Sequence, residues 1–220
     1  MQPFSSPARL ETMPPSMLSR RQLIPLVTAG LLAIAVLVVP APGSFSVIGT
    51  QWFASVGSGI RNVDLVSEAG LSLLAATTAA SIVYAWIRHP ERRAKMVAGA
   101  GGVVVAYAVS EGAKLVFAQP RPCSRWAIAA ECPPAGDWSL PSNHATLAFG
   151  AVVVIAVGFG RTWLTWLAAA VAALVAIGRI AQGVHYLHDV ALGALLGLVV
   201  TIVFVRLATR RTVLRDGGCR

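Results

Sequence analysis

The sequence is poor in charged residues. Only 12% of its 220 residues are Asp, Glu, Lys or Arg, whereas soluble domains carry about 25%. Hydrophobic residues make up 56%, and the mean hydropathy is +0.70. So few charges cannot cover a water-facing surface of this size. The composition therefore excludes an ordinary soluble domain and predicts a membrane protein with several spans.

Cysteines and acidic residues are also scarce. Three Cys cannot build a disulfide-rich scaffold, and their spacing matches no zinc ribbon. The nine acidic residues are outnumbered by 18 basic ones, which gives a net charge of +9. Basic excess can indicate nucleic-acid binding, but these basic residues lie between apolar runs and form no stripe on a soluble face. We therefore expect no nucleic-acid partner.

Six apolar runs are long enough, or nearly so, to cross a bilayer. About 20 apolar residues span a hydrocarbon core of about 30 Å, and in lipid only a helix satisfies its own backbone polar groups. The runs cover residues 23–40, 65–87, 96–117, 145–159, 162–180 and 190–207. Segments 40–65 and 117–142, rich in Gly, Pro, Ser and Trp, are predicted to be loops. The predicted fold class is all-α, a polytopic six-helix transmembrane bundle.

The basic residues indicate the orientation of this bundle. With the N-terminus in the cytoplasm, most of them lie in cytoplasmic segments, as the positive-inside rule requires. The exceptions are Arg61, Lys114, Arg121, Arg125 and Arg179. We expect cytoplasmic tails at 1–21 and 209–220, and a six-span domain at 22–208 with its motifs at about 94–200. The predicted location is the plasma (inner) membrane.

The first apolar run has an alternative interpretation. The segment Ser19-Arg20-Arg21-Gln22-Leu23 before it resembles the start of a cleaved twin-arginine signal. The run is long for a signal, so an uncleaved span is favoured. Cleavage would leave five spans and would not change the sidedness of the rest.

Several polar residues interrupt the apolar runs near their ends, and the predicted topology places them on one face of the membrane. Charged groups near helix ends are costly among apolar neighbours unless they have partners. On the predicted topology the outliers all reach the extracytoplasmic leaflet. They are Lys114, Arg121, His144, Arg179, His185, His188 and Asp189. The sequence thus predicts one site at the extracytoplasmic ends of the helices.

This set of groups suits a bound phosphate. Cations donate charge-assisted hydrogen bonds, and the N–H groups of a fourth helix capped by Ser142 would point at the same anion. Asp189, four residues after His185, would accept a hydrogen bond from one imidazole nitrogen and leave the other free to attack phosphorus. His144 would protonate the leaving oxygen. The predicted chemistry is phosphoryl transfer through a phosphohistidine.

Three motifs resemble those of the type 2 phosphatidic acid phosphatases, which share their site with the vanadium haloperoxidases. The family patterns are Lys-x6-Arg-Pro, Pro-Ser-Gly-His and Ser-Arg-x5-His-x3-Asp. Their order and spacing recur in this chain, and the resemblance covers about residues 70–208. The matching residues are Lys114, Arg121, Pro122, Pro141, Ser142, Asn143, His144, Gly178, Arg179, His185 and Asp189.

The resemblance implies a six-helix membrane phosphatase that acts on lipid phosphates and needs no metal or other cofactor. It implies that His185 is the nucleophile, Asp189 its partner and His144 the general acid. The residues implied to bind phosphate are Lys114, Arg121, Arg179, Ser142 and Asn143.

Two positions depart from the family patterns. Asn143 stands where the family usually has Gly; if the position needs a positive φ, Asn is the most tolerable replacement, and its amide could bind an oxygen. Gly178 replaces a Ser whose hydroxyl would help to hold phosphate, at a cost on the order of 1 kcal/mol. Neither change removes a charge or a catalytic group.

Neighbours of the motifs leave alternatives open. Glu111, one helical turn before Lys114, is expected to brace the cluster. His188 is interpreted as a spectator or supporting group. The alternative is a zinc site with His185 and Asp189, which is disfavoured because nearby cations would repel the ion.

The outer loop before the fourth span has open alternatives too. Cys123 and Cys132 either form a disulfide in an oxidising compartment or stay thiols. Arg125 is either a solvated loop residue, which is favoured, or a contact to a larger head group.

The favoured function is removal of phosphate from a lipid phosphate or diphosphate, with polyprenyl diphosphate as the first substrate. Phosphatidic acid, phosphatidylglycerol phosphate and a prenyl-phosphate-sugar phosphate are the alternatives within this class. A haloperoxidase-like activity is a further alternative. The alternative from another class is a transporter or a non-catalytic protein that binds anionic lipid. The expected partners are the lipid substrate and membrane lipids; the sequence specifies no oligomeric state.

Overall fold

The computed structural model of the protein describes residues 20–37, 44–126 and 131–217. Within these ranges there are seven α-helices and no strand. The helices are α1 (Arg20–Leu37), α2 (Phe45–Gly57), α3 (Val63–Arg88), α4 (Arg93–Phe117), α5 (Asn143–Phe159), α6 (Thr162–Ala181) and α7 (Leu187–Gly217). Short 3-10 turns occupy Pro90–Arg92 and Pro122–Ser124. Most of the predicted N-terminal tail (1–19) and the last residues of the C-terminal tail (218–220) lie outside the described residues.

Each predicted span corresponds to a helix, and the all-α class is confirmed. Four segments are long and apolar enough to cross a membrane: Val63–Arg88, Pro90–Ser124, Thr162–Ala181 and Leu187–Arg210. Two apolar helices, Leu23–Ala33 and Asn143–Phe159, are shorter. The chain is an all-helical membrane protein, and the count of six spans stays a prediction.

The prediction of a loop across 40–65 is wrong, because α2 lies there. Its apolar side chains recur every three or four residues and point outward, with Phe45, Ile48 and Trp52 all exposed. Its buried face consists of small or polar residues such as Ser46 and Thr50. This inverted polarity is typical of a helix that faces lipid rather than water. At 13 residues the helix is too short to cross a bilayer, which takes about 20 residues.

The last helix begins earlier and ends later than predicted. Asp189, the third residue of α7, accepts a hydrogen bond from the backbone N–H of Tyr186 at 2.8 Å, which is half of a capping box and starts the helix at Leu187. Asp189 is therefore in the first turn of α7, while His185 lies in the turn before it. The helix continues past 207 to Gly217, since no Gly or Pro lies between 207 and 217.

The central helix α5 is buried along most of its length and packs against α3, α4, α6 and α7. Two glycines four residues apart on α7 let that helix approach α5 closely. A Cβ at Gly193 would lie 2.4 Å from the Ser142 carbonyl oxygen, and one at Gly197 would lie 2.2 Å from that of Thr146. This small-xxx-small contact is frequent between membrane helices. It fixes the start of α7 beside the start of α5.

Candidate active site

The predicted site residues come together at one end of the bundle. Lys114 lies in the last turn of α4 and Arg179 in the last turn of α6. Asn143 opens α5, beside the first turn of α7. The remaining members are supplied by the turn between α6 and α7 and by the segment that follows α4.

His185 is at the centre of this cluster and is only 2% exposed. Its Nε2 lies 3.2 Å from Nη1 of Arg121. Its Nδ1 lies 3.5 Å from Oδ2 of Asp189, at ion-pair distance, and has no hydrogen-bond partner among the described residues. Burial lowers the pKa of His185 to about 4, although the Asp189 carboxylate acts in the opposite direction. The imidazole is therefore neutral at pH 7.

Asp189 is fully buried and is held by several donors. Gln119 donates to Oδ1 at 2.9 Å, and Ser139 donates to Oδ2. Because Oδ2 also accepts the Tyr186 N–H, this oxygen is already well satisfied without His185. Sequence reasoning missed Gln119 and Ser139, whose only signal was that they are polar residues near the first two motifs.

Arg121 is buried and anchors the segment after α4. Its guanidinium donates to the Val184 carbonyl at 3.0 Å and to Oδ1 of Asp137 at 2.8 Å. Lys114 Nζ lies 3.8 Å from the same Asp137 oxygen and 3.0 Å from Glu111 Oε1. Burial raises the pKa of Asp137, but the hydrogen bond and charge of Arg121, together with Lys114, outweigh it and leave the pKa below its usual value. Asp137 is a site residue that sequence reasoning missed.

Arg179 and His144 share a carboxylate from α3. Oε1 of Glu68 lies 3.0 Å from His144 Nε2 and 3.6 Å from Arg179 Nη1. Arg179 also donates to Gln182 at 2.9 Å, while its buried Nε has no hydrogen-bond partner among the described residues. Glu68 was not identified from the sequence, because it lies before all three motifs.

The start of α5 differs in detail from the prediction. Ser142 is at the N-cap position, but its hydroxyl makes no capping bond; its carbonyl instead accepts the Thr146 N–H at 3.0 Å. Asn143 is helical and has no positive φ. Its amide nitrogen donates a hydrogen bond to Glu111, and its amide oxygen accepts one from the Ser110 hydroxyl at 2.8 Å. Asn143 therefore ties α5 to α4.

The space beside Gly178 is occupied by a serine from another helix. A Cβ at Gly178 would lie 3.3 Å from Cβ of Ser67 on α3. The Ser67 hydroxyl accepts a hydrogen bond from Gln182, which in turn accepts from Arg179. A hydroxyl is therefore present beside this position and is linked to Arg179 through one amide.

The segment between α4 and α5 contains a disulfide and is tied to the turn that carries His185. Cys123 and Cys132 are bonded, with 5.6 Å between their Cα atoms. The Cys123 N–H donates to the Gly183 carbonyl at 2.9 Å. Arg125 is exposed. In the described ranges no cluster of three or more His, Cys, Asp or Glu residues is arranged to hold a metal ion.

Residues 95–212 match the sequence model of the PAP2 superfamily. The matched segment contains all three motifs and the turn that carries His185. The chain belongs to the PAP2 superfamily. Helices α2 and α3 precede the matched segment. They carry Ser46, Ser67 and Glu68, which contact His188, Gln182 and His144.

Two curated PAP2-type phosphatases are similar to this chain. The decaprenylphosphoryl-5-phosphoribose phosphatase of Mycobacterium tuberculosis is 33% identical over 114 residues, which cover 52% of this chain and 62% of the relative. The undecaprenyl-diphosphatase BcrC of Bacillus subtilis is 30% identical over 111 residues, covering 50% and 54%. The chain thus matches less than two thirds of the length of these relatives.

A third relative is named as a transport protein. The bacitracin transport permease protein BcrC of Bacillus licheniformis is 45% identical over 69 residues, covering 31% of this chain and 32% of the relative. No solved structure matches the chain.

Proposed function

We propose that the protein is a metal-independent membrane phosphatase that hydrolyses a lipid phosphate or diphosphate through a phosphohistidine. The observation that supports this proposal best is the set of charged groups around His185. A buried, neutral imidazole lies beside Arg121 and Asp189, and two further cations, Lys114 and Arg179, lie in the same cluster. Fixed positive charge around a nucleophile stabilises the charge on transferring phosphoryl oxygens.

In the first step, Nε2 of His185 attacks phosphorus while the bond from phosphorus to the leaving oxygen breaks. His144, whose Nε2 lies 3.0 Å from Oε1 of Glu68, enters this step protonated and donates its proton to that oxygen. The phosphoimidazole carries positive charge, and Nδ1–H then faces the Asp189 carboxylate. At the start of α5 the Asn143 backbone N–H supports the phosphoryl oxygens, whereas the Ser142 backbone N–H donates to the Asp189 carbonyl at 3.0 Å.

In the second step, His144 takes a proton from water, and the resulting hydroxide attacks phosphorus. The bond from nitrogen to phosphorus breaks, and its electron pair returns to Nε2 of His185. Inorganic phosphate leaves, and His144 is protonated again for the next turnover. The net reaction consumes one water and needs no metal.

Carboxylates of the chain itself compete with phosphate for the cations. Asp137 pairs with Arg121 and approaches Lys114, and Glu68 approaches Arg179. A phosphate dianion that binds all three cations must replace at least the Asp137 contact. Asp137 and Glu68 are both partly exposed, so each can turn toward water when phosphate binds.

The apolar surroundings of the site favour a lipid substrate. A groove of about 490 Å³ between α1, α6 and α7 runs from Trp166 to Ile180 and Leu187. Ile180 and Arg179 are both in the last turn of α6, so the groove reaches the end of the bundle that carries the cations, although no cation lines it. An apolar groove at this end of the bundle fits a substrate with a hydrocarbon chain.

The substrate that we propose first is polyprenyl diphosphate, and the second is a prenyl-phosphate-sugar phosphate. Two relatives are named for decaprenyl and undecaprenyl compounds. Phosphatidic acid and phosphatidylglycerol phosphate are the remaining candidates. We also propose that six helices span the plasma membrane, with cytoplasmic tails at 1–21 and 209–220 and the site on the extracytoplasmic side.

A substrate panel tests this function. The protein, purified in detergent with EDTA, is incubated with each candidate lipid phosphate, and released phosphate is measured with vanadate as inhibitor. We expect vanadate-sensitive release that EDTA does not reduce, fastest with the polyprenyl substrates. No release from any lipid, or release that requires a divalent metal, would contradict the proposal.

A second candidate is transport or binding of an anionic lipid without turnover; the support for it is that one relative is named a bacitracin transport permease protein. The polar residues of the site would then hold the head group but leave it intact. Saturable binding of a radiolabelled lipid phosphate that is recovered unchanged would support this candidate over the first.

A further inference from the structure

We propose that His188 is a positioning residue that orients Asp189, and through it His185, with Ser46 of α2 holding the His188 ring. This inference rests on the proposed function. It assigns a role to a histidine that the reaction above does not use and to a helix that precedes the family-matched segment.

His188 is buried and contacts the catalytic carboxylate on the side away from His185. Its Nε2 lies 3.2 Å from Oδ1 of Asp189, whereas His185 approaches Oδ2. The Asp189 carboxylate therefore has one imidazole at each oxygen. The His188 ring also stacks on Tyr186, with 5.1 Å between ring centroids and 13° between planes. These contacts hold the ring on both its edge and its face.

Ser46 holds the His188 ring at Nδ1. The Ser46 hydroxyl oxygen accepts the backbone N–H of His188 at 3.1 Å and lies 2.8 Å from its Nδ1, at hydrogen-bond distance. At the other edge of the ring, Nε2 lies 3.2 Å from Asp189 Oδ1 and contacts the Gln119 amide, 3.1 Å from its Nε2 and 3.2 Å from its Oε1.

The result is a chain of polar contacts from α2 to His185. Ser46 holds His188, His188 contacts and Gln119 donates to Oδ1 of Asp189, and Oδ2 faces His185 at 3.5 Å. Asp189 is fully buried, and a buried carboxylate whose donors are removed can rotate or lose its preferred orientation. Its alignment with His185 Nδ1–H matters most when the imidazole becomes positive, so loss of His188 should reduce turnover rather than binding.

The test compares kcat and KM of His188→Ala, His188→Gln, Ser46→Ala and the double variant Ser46→Ala/His188→Ala on a lipid phosphate that the wild type hydrolyses. We expect His188→Ala to lower kcat by about 10- to 100-fold, as loss of outer hydrogen-bonding partners commonly does, with little change in KM. His188→Gln retains a donor toward Asp189 and should recover part of kcat. Ser46→Ala should lower kcat less, and the double variant should be no worse than His188→Ala.

The matched control is Thr50→Val, one turn from Ser46 on α2. Thr50 accepts the Leu187 N–H at 3.1 Å, so the substitution loosens the same helix contact without touching His188. We expect near wild-type kcat. Thermal unfolding of every variant in detergent identifies any that do not fold, and in that case the comparison of His188→Gln and Ser46→Ala with Thr50→Val decides.

The outcomes separate this inference from the proposed function. An active wild type with His188→Ala at wild-type kcat, or with Thr50→Val as impaired as Ser46→Ala, overturns the positioning role and leaves the phosphatase proposal intact. An effect on KM alone also overturns it. A wild-type protein that releases no phosphate from any lipid overturns both.

Discussion

Both ends of the helical bundle carry arginines, but the two ends use them differently. At the end opposite the candidate site, Arg92 donates to the Gly158 carbonyl at 3.1 Å, where α5 finishes. Arg93 donates to the Trp86 carbonyl and lies over its ring. These cations satisfy helix C-termini, where positive charge is favourable. At the site end, Lys114 and Arg121 are buried around His185 and paired with a partly exposed carboxylate, Asp137.

The difference indicates what each end is for. Burying cations costs desolvation energy that pairing only partly returns, and apolar replacements are often as stable or more so. Stability alone therefore does not explain the buried cations beside His185, whereas it does explain the caps at the opposite end. Substitutions at the site end should affect turnover, and those at the opposite end should affect unfolding.

The largest contrast is expected between two histidines. His185→Ala removes the proposed nucleophile and should lower kcat by about a thousandfold or more. His89→Ala, next to Glu91 at the opposite end, should leave kcat unchanged. Phosphate release from a polyprenyl diphosphate measures both. Equal kcat for the two variants would contradict the assignment.

Arginines at the two ends should separate activity from stability. Arg121→Ala removes a cation beside His185, the proposed nucleophile, and should lower kcat/KM by about 10²- to 10³-fold, as loss of one transition-state donor does. Arg92→Ala should instead lower the Tm in detergent with little change in kcat/KM of the remaining folded protein. A drop in kcat/KM for Arg92→Ala as large as that for Arg121→Ala would remove the distinction between the ends.

Asp137 should compete with phosphate. Asp137→Asn removes a carboxylate charge from Arg121 and Lys114, so inorganic phosphate should inhibit at a concentration lower by up to about fivefold, the range of a partly exposed ion pair. Glu91→Gln at the opposite end is the control and should not change this inhibition. Weaker inhibition by phosphate in Asp137→Asn would show that Asp137 supports binding instead of opposing it.

A smaller effect is expected on the pH dependence of stability. The folded-state pKa of His185 is about 4, below its ordinary value of 6.5, so between these values the unfolded chain binds more protons. The stability contributed by neutral His185 is complete above about pH 6.5 and is lost as the pH falls toward about 4. Tm should fall in this window, and fall less in His185→Gln. Equal slopes in the two proteins would argue against this pKa.

The bundle and the cluster of motif residues were predictable because both follow from strong local signals. Hydropathy located the helices, and three spaced motifs located Lys114, Arg121, His144, Arg179, His185 and Asp189. Helix α2 was missed because its sequence mixes apolar residues with Gly, Ser and Thr. This composition suits a helix that faces lipid, but it resembles the composition of a loop. Glu68, Gln119 and Asp137 were missed because tertiary packing alone brings them to the site. Ser142 lies at the predicted helix boundary, but its backbone carbonyl, not its hydroxyl, accepts a hydrogen bond from the first turn of α5.

The central claim is that His185 becomes phosphorylated during turnover. It is tested most directly by mixing the protein with a polyprenyl diphosphate that is ³²P-labelled at the terminal phosphate, quenching within the first turnover under alkaline conditions and mapping the labelled peptide. We predict a base-stable, acid-labile label on the peptide that contains His185, with none in His185→Ala. Steady turnover with no protein-bound label at any quench time, or with the label on another residue, would contradict the account.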